Sequence, residues 1–249
     1  MSEKTFEGRT AIVTGGARGI GRAICVMLAE NGAKVAINFV RNEGAAKQTQ
    51  EIVEKAGADS IIVQADVSQR EDVERMVESA REQLGQIDFL VNNAGIAEHV
   101  LHDGITHESW KRMFEVNVDG PFLTTWAVKD EMIERRYGRI VNISSLAGIL
   151  IKQDMIHYAT TKAALISFTR HCAQAFAHHN IRVNCVAPGA TNTDIARDAD
   201  PKLIEQIISL TPMGRMAEPE EMAGAVKFLL SDESSYITGQ TITACGGRG

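Results

Sequence analysis

The chain has 249 residues, of which 44% are hydrophobic and 23% are charged, and these values are typical of a globular rather than a disordered protein. That length is at the upper end for one α/β domain, so we expect a single domain over residues 1–249. A net charge of −6 without a basic run argues against nucleic acid as a partner, because phosphate neutralisation needs clustered Lys and Arg.

Short β-branched runs alternate along the chain with longer helical stretches. The predicted strands are 10–14, 34–39, 60–64, 89–92, 140–144, 181–187 and 241–244. The predicted helices are 20–30, 43–55, 70–84, 108–136 (mostly helical and unusually long), 158–178 and 219–230.

This alternation implies right-handed βαβ crossovers and a sheet that is covered on both faces. The predicted fold class is therefore α/β: a single doubly wound Rossmann domain with a parallel seven-stranded sheet and helices on both faces. Segment 191–212 is polar at first and then has a short helical pattern. We expect it to form a substrate lid over the strand ends, where ligands bind in such folds.

The cysteines are scattered and form no CxxC pair, so small buried apolar side chains are the better interpretation than metal or redox ligands. They are Cys25, Cys172, Cys185 and Cys245. Residues 1–4 precede a glycine-rich turn without an apolar signal region, and no segment approaches a membrane-spanning length. A reducing cytoplasm is the expected location, with no membrane partner.

The first predicted strand runs into a glycine turn with the spacing G-x-x-x-G-x-G, formed by Gly15, Gly19 and Gly21. Glycines permit positive φ and close backbone approach, and the following helix N-terminus offers free N–H groups to a pyrophosphate. The alternative is a strand-to-helix turn without a ligand. The junction of strand, glycines and helix favours a dinucleotide site.

The second strand carries Asn38 near its end, where NAD-specific sites often place a carboxylate for the ribose 2′-hydroxyl. Arg18 in the glycine turn and Arg41 just beyond the strand could both approach a 2′-phosphate, which a guanidinium binds well. Alternatively, both arginines are solvated surface residues. We predict NADP(H) as the cofactor.

Tyr158 and Lys162 are four residues apart and therefore share one helix face. A nearby cation favours the phenolate, so the lysine is expected to lower the pKa of the phenol and make it a general acid or base. Ser145 follows the fifth strand, and its hydroxyl could hold a substrate oxygen beside the phenol. The polar turn of Asn92 and Asn93 follows the fourth strand at the same sheet edge.

With these pieces in this order, the chain resembles the short-chain dehydrogenase/reductase family over nearly all of its length. The matched pieces are Thr14 to Gly21, Asp66-Val67, Asn92 to Gly95, Asn117, Ser145, Tyr158, Lys162, Asn184 and Pro188-Gly189. The resemblance implies four catalytic residues: Asn117, Ser145, Tyr158 and Lys162. Asn117 would anchor a proton-relaying water, and Lys162 would also hold the nicotinamide ribose.

The resemblance also implies a set of cofactor-binding residues. They are Gly15, Arg18, Gly19, Ile20, Gly21, Asn38, Arg41, Asp66, Val67, Asn92, Asn93, Ala94, Gly95, Tyr158, Lys162, Pro188, Gly189, Thr191 and Thr193. Asp66 would bond the adenine amine, Asn92 would lie along the adenosine ribose, and Thr193 would reach the carboxamide or the phosphates. The family often has Ile where this chain has Thr191.

The function that the resemblance implies is NADPH-dependent reduction of a carbonyl, or the reverse oxidation, most similar to that of 3-oxoacyl-(acyl-carrier-protein) reductases. Arg136 could help to dock a carrier protein at the site entrance, but His179 stands where relatives often have Arg. A specialised reductase of a small ketone, sugar, cyclic alcohol or imine therefore remains open, and a non-catalytic dinucleotide sensor is a third alternative.

The expected partners are a small-molecule or acyl-thioester substrate and further copies of the chain. The two long helices are apolar beyond one stripe, which predicts a subunit interface, and relatives are commonly homotetramers. No metal is expected, because the histidines near Glu98 and His102 lack ligand spacing. His157, next to Tyr158, is either a substrate contact or a surface residue.

Overall fold

The computed structural model describes residues 4–193 and 201–248. Within them, seven parallel strands form one sheet in the order β3-β2-β1-β4-β5-β6-β7. The strands are β1 (Thr10–Val13), β2 (Lys34–Phe39), β3 (Ser60–Gln64), β4 (Phe89–Asn92), β5 (Gly138–Ile143), β6 (Ile181–Pro188) and β7 (Thr241–Ala244).

Helices connect these strands and cover the sheet. They are α1 (Gly19–Glu30), α2 (Glu43–Lys55), α3 (Arg70–Leu84), α4 (His107–Phe114), α5 (Gly120–Arg135), α6 (Ile156–Phe176), α7 (Pro201–Ser209) and α8 (Pro219–Leu230). The predicted Rossmann fold with a seven-stranded parallel sheet is confirmed. The bounds predicted for β2, β3, β4, β7, α2, α3 and α8 are those that the structure has.

Two apolar clusters hold the helices to the two faces of the sheet. Along β1, Ala11 and Val13 belong to the cluster that includes α1 and α8, whereas Ile12 belongs to the cluster that includes α3, α5 and α6. All of β1 is buried, because a strand with a helical layer on each side exposes neither face to water.

The direction in which successive strands are added to the sheet changes at β1, which pairs with β2 on one side and with β4 on the other. In open parallel sheets, ligands bind at the carboxyl ends of the strands beside such a switch point. The loops that follow β1, β4, β5 and β6 all emerge at this edge, so it is the place to search for a site.

The long helix predicted for 108–136 is interrupted. α4 ends at Phe114, a π-helical turn spans Glu115–Asp119, and α5 begins at Gly120. The π turn contains Asn117, which is completely buried. One extra residue in the turn lets this polar side chain point inward, and such turns occur frequently at functional sites.

Part of the predicted lid at 191–212 lies outside the described residues, namely 194–200. Of its described parts, Thr191 forms an isolated bridge with Ala217, and α7 supplies the predicted short helix. Of the helices in residues 4–193 and 201–248, none has the length and hydropathy needed to cross a membrane.

Candidate active site

The glycine turn after β1 is a tight cradle at the start of α1. Gly15 and Gly19 have φ values of 64° and 54°, which a side chain would strain. A Cβ on Gly21 would lie 2.2 Å from the carbonyl oxygen of Gly15, so this helical turn can only be closed by a glycine. Ile20 is the second residue of α1 and packs, partly buried, against the core behind the turn.

Two polar side chains, one directly after β1 and one directly after β4, hydrogen-bond the glycine turn to the loop that follows β4. The hydroxyl of Thr14 accepts hydrogen bonds of 3.0 Å from the backbone N–H groups of Asn93 and Ala94. The Asn93 amide donates to the carbonyl oxygens of Thr14 and Gly15 at 2.9 and 3.1 Å. Asn93 therefore holds the glycine turn in shape, and its amide hydrogens are already used for that purpose.

The 2′-phosphate candidates differ in how they are held. Asn38 is buried, accepts a hydrogen bond from the Gly15 N–H at 3.1 Å and donates to the carbonyl of Ala65 at 2.9 Å. Arg18 and Arg41 are both exposed at this edge. Near its end, β2 thus carries a neutral amide that supports the glycine turn. The two exposed arginines lie on the solvent side of this amide.

Asn92 does not present its side chain to a cofactor. It is 2% exposed, donates to the Asn142 amide oxygen at 2.9 Å and accepts from the Thr124 hydroxyl at 2.6 Å. The expectation that this residue lies along the adenosine ribose is therefore corrected for its side chain, because an amide placed inside the sheet must find its partners there.

Asp66 and Val67 lie in the loop between β3 and α3. Val67 is buried against Gly120 at the start of α5. Burial alone would raise the pKa of Asp66, but hydrogen bonds from Ser68 and from the Arg112 guanidinium outweigh it and hold the pKa below its ordinary value. Arg112 reaches Asp66 at 3.1 Å from α4, a contact that no local sequence signal indicates.

Tyr158 and Ser145 face each other at the carboxyl edge. The Ser145 hydroxyl lies close enough to the phenol to oppose the effect of burial on the phenol's pKa, and it accepts a hydrogen bond from the Ala147 N–H at 3.1 Å. The neighbouring Ser144 is buried and donates to the carbonyl of Lys162 at 2.8 Å. The Ser144 hydroxyl is therefore used within the fold, and Ser145 is the hydroxyl that lies beside the phenol.

Lys162 and Asn117 lie directly behind the phenol, around Gly95. A Cβ on Gly95 would be 3.3 Å from the Lys162 Nζ and 3.1 Å from the Asn117 Oδ1. The Asn117 side chain accepts from the Ile96 N–H and donates to the Ile96 carbonyl, both at 2.9 Å, and donates to Thr161 at 3.1 Å. The four predicted catalytic residues are thus assembled in one place.

The expected lowering of the Tyr158 pKa by Lys162 is not found. The Lys162 Nζ lies 5.7 Å from the centre of the phenol ring and donates instead to the Ile143 carbonyl at 2.9 Å. Burial raises the pKa of Tyr158, and burial lowers the pKa of Lys162 to about 8. Desolvation disfavours the charged form of both groups, so the phenol keeps its proton at neutral pH.

The loop after β6 closes the other side of the cradle. The Gly189 N–H donates to Ala244 at 2.8 Å, so Pro188 and Gly189 run beside the end of β7. Thr191 is buried, and its hydroxyl donates to the Gly189 carbonyl at 3.2 Å. A Cβ on Gly19 would meet the Thr193 methyl at 3.3 Å, so Thr193 lies against the glycine turn.

For Arg136 and His157, the structure rejects one of the alternatives that the sequence left open. Arg136 donates to the His178 carbonyl at 2.9 Å and ends α5 just before β5 begins, so it lies with His179 at the amino edge of the sheet. In a parallel sheet this edge is opposite to the catalytic one, and neither residue is at this chain's own site entrance.

His157 is not a surface residue, because it is 0% exposed. It pairs with Glu98, whose Oε2 lies 3.2 Å from the Nε2.

Known proteins resemble the chain over nearly all of its length. A family model described as Enoyl-(Acyl carrier protein) reductase matches residues 15–248. A 3-oxoacyl-[acyl-carrier-protein] reductase of Synechocystis sp. is 37% identical over 240 residues, covering 96% of each chain. The chain belongs to the short-chain dehydrogenase/reductase family.

Two further relatives in this short-chain dehydrogenase/reductase family carry the same name. That of Staphylococcus aureus is 36% identical over 239 residues, covering 96% of this chain and 97% of the relative. The crystal structure of the one from Brucella melitensis superposes with a TM-score of 0.92 at 35% identity, covering 98% of this chain and 92% of that one. These relatives support an oxidoreductase that acts on a carbonyl group.

Proposed function

We propose that this protein is an NADPH-dependent carbonyl reductase in which Tyr158 is the general acid. The observation that carries the proposal is the assembly of Ser145, Tyr158, Lys162 and Asn117 beside a glycine cradle. A dinucleotide-sensing protein without catalysis would not need a buried phenol and a buried ammonium, since burying them costs stability.

The residues present fit a nicotinamide dinucleotide. Glycines at positions 15, 19 and 21 keep the backbone of the turn free of side chains, for which the surrounding protein atoms leave little room, and the first N–H groups of α1 are available to receive a pyrophosphate. Arg18 and Arg41 supply the positive charge that a 2′-phosphate requires, while Pro188, Gly189, Thr191 and Thr193 would close over the nicotinamide half. When bound, the cofactor supplies the hydride.

The chain's own residues would then handle the oxygen of the substrate. The Ser145 hydroxyl holds the carbonyl oxygen in place, and the Tyr158 phenol donates the proton to that oxygen as negative charge develops. A phenol whose pKa is raised by burial is protonated before the reaction, as a proton donor must be. Lys162 and Asn117 would return a proton to the phenol from the buried side.

The substrate is proposed to carry an apolar body next to its carbonyl. Among the described residues, five exposed large hydrophobic side chains lie in, or directly beside, the loops after β4 and β5: Ile96, Leu101, Ile149, Ile151 and Ile156. Two more, Leu210 and Met213, follow α7. An apolar rim of this kind suits a 3-oxoacyl thioester, and acyl thioesters are the substrates in the names of the relatives.

A second candidate is a reductase of a free apolar ketone, without a carrier protein. It is favoured by the position of Arg136 and His179 at the amino edge of the sheet. Within one chain, these two residues are therefore on the opposite edge of the sheet from the rim.

NADPH absorbance with a substrate panel tests the proposal. Acetoacetyl thioesters, free apolar ketones, a cyclic imine and a sugar would be compared in the same assay. Tyr158→Phe should retain NADPH binding and lose turnover by about 10³-fold or more, as expected for removal of a general acid. Tyr236→Phe is the matched control, since that phenol is fully exposed. Substantial activity of Tyr158→Phe would refute the mechanism.

Three further features belong to the same proposal. Residues 191–212 act as a substrate lid within a single domain over 1–249. The four unpaired cysteines are compatible with a reducing cytoplasm. The chain assembles as a homotetramer through the exposed aromatic side chains Phe122 and Trp126 of α5.

A further inference from the structure

The stretch 96–100 after β4 is attached along its length to the catalytic elements. Its first residue, Ile96, exchanges two hydrogen bonds of 2.9 Å with the Asn117 side chain. Its last residue, Val100, donates its backbone N–H to the Asp154 carbonyl at 2.7 Å. The stretch therefore runs from the π turn to the loop that precedes α6.

Between these ends, two histidine–carboxylate pairs connect the stretch to the segment 154–157 before and at the start of α6. In one pair the stretch supplies the carboxylate, and in the other it supplies the histidine. The His157 Nε2 on α6 pairs with the Glu98 Oε2 of the stretch at 3.2 Å, and the His99 Nδ1 of the stretch pairs with the Asp154 Oδ2 at 2.8 Å. Each side thus contributes one imidazole and one carboxylate. We call these four residues the entrance clamp.

Burial makes the pair of His157 and Glu98 energetically costly to break. The His157 ring is 0% exposed, and its Nδ1 is buried without a partner among the described residues. A buried imidazole with one orphaned nitrogen depends on its remaining hydrogen bond. Asp154 is held differently: the hydrogen bond from His99 keeps its pKa below the ordinary value.

The clamp joins the parts of the site that meet the substrate. His157 directly precedes Tyr158 at the start of α6, and the clamped stretch carries or adjoins Ile96 and Leu101 of the apolar rim. Ile156, on the other side of His157, belongs to the same rim. Movement of 96–100 would therefore shift apolar surface relative to the phenol.

We propose that Glu98, His157, His99 and Asp154 are positioning residues that hold the apolar rim at a fixed distance from Tyr158 and so determine the affinity for the body of the substrate. This inference rests on the proposed carbonyl reduction. The clamp acts through Ile96 and Leu101 and takes no part in proton transfer. Its loss should therefore change KM for the carbonyl compound much more than kcat.

The test combines kinetics with amide hydrogen exchange. Glu98→Ala is the main variant, because Glu98 is 52% exposed as a side chain and its loss is compatible with folding. Asp103→Asn is the matched control: Asp103 is an exposed carboxylate of the same loop, and the described residues give it no hydrogen bond or ion pair. Asp154→Ala opens the second pair.

Glu98→Ala should raise KM for the preferred carbonyl compound roughly tenfold, with kcat within about threefold and the Kd of NADPH unchanged. Exchange of the Ile96 and Val100 amides should accelerate in Glu98→Ala and Asp154→Ala but not in Asp103→Asn. The double variant Glu98→Ala/His157→Ala should raise KM no further than Glu98→Ala alone, since the two residues act as one pair.

Unchanged exchange in Glu98→Ala would overturn the clamp. Faster exchange with an unchanged KM would overturn its effect on substrate affinity and leave a purely structural pair. If the wild-type protein reduced no carbonyl compound on the panel, the proposed function would fail and the assignment of rim affinity with it, while the exchange data would still report whether the clamp exists.

Discussion

The Lys162 ammonium donates its hydrogen bond of 2.9 Å to the Ile143 carbonyl oxygen at the end of β5. This contact holds the ammonium 5.7 Å from the centre of the Tyr158 ring. The lysine is 4% exposed and burial lowers its pKa to about 8, so the folded protein carries a charge that its surroundings solvate poorly. Function and stability are therefore opposed at this residue.

Replacing Lys162 by Met should abolish turnover and stabilise the fold. The lowering of the Lys162 pKa from 10.5 to about 8 corresponds to about 3 kcal/mol, because one pKa unit is worth about 1.4 kcal/mol. Loss of the hydrogen bond to Ile143 would cost about 1 kcal/mol, so unfolding of Lys162→Met at pH 7 should require roughly 2 kcal/mol more. Urea denaturation would measure this difference.

The pH dependence of stability separates this effect from simple repacking. Between about pH 8 and 10.5 the unfolded chain holds the Lys162 proton and the folded chain does not, so this lysine makes the stability of the wild type rise with pH in that window. Lys162→Met lacks this contribution. The stability gap between variant and wild type should therefore shrink as the pH rises through the window, and a constant gap would contradict the assignment.

Gly21→Ala should destroy the cofactor cradle. The new methyl group would lie 2.2 Å from the Gly15 carbonyl, so the turn or the start of α1 must move, at a cost of about 1–3 kcal/mol. NADPH titration followed by fluorescence should show binding weakened beyond detection. Gly224→Ala is the helical control: it is exposed on α8 with open space around it, so it should bind NADPH normally and gain up to about 1 kcal/mol.

Much of this architecture could be predicted from local sequence patterns. The bounds of β2, α2 and β3 follow from β-branched runs and helical periodicity, and the meeting of Ser145 with Tyr158 follows from their positions at one strand edge. These predictions need only residues that are near in sequence, or the general geometry of parallel sheets.

The features that could not be predicted depend on tertiary contacts. The π turn contains Asn117, whose hydrogen-bond partners Ile96 and Thr161 are 21 and 44 residues away in the sequence. The pKa direction of Tyr158 was predicted incorrectly because the four-residue spacing from Lys162 indicates proximity, whereas burial decides which protonation state is stable. Spacing alone carries no information on desolvation.

Arg41 should decide the preference between the two nicotinamide cofactors. It is exposed next to β2, which ends without a carboxylate. Arg41→Ser removes one charge-assisted contact to a 2′-phosphate, so the Kd of NADPH should rise roughly tenfold or more while that of NADH is unchanged. Lys55→Ser, at the far end of α2, removes the same charge from an exposed site and serves as the control. Equal effects on both cofactors would reject the role.

Trp126→Glu should prevent the proposed tetramer from forming. The Trp126 ring is 42% exposed on α5 and lies 4.4 Å from the ring of Phe122, which is 40% exposed. Two adjacent aromatic rings in water are costly for a monomer and are typical of an interface core. A buried glutamate there would be left without a partner, so light scattering should show the wild type as a tetramer and the variant as smaller species.

Ile52→Glu gives the matched comparison for this substitution. Ile52 is a similarly exposed apolar residue, at 39%, but it lies on α2 and away from the α5 aromatic pair. Its replacement should leave the molar mass of the assembly unchanged. A wild-type protein that is monomeric at every concentration would refute the assembly. A tetramer that survives Trp126→Glu would mean that the subunits meet on another surface, because an unpaired carboxylate at an interface core costs several kcal/mol.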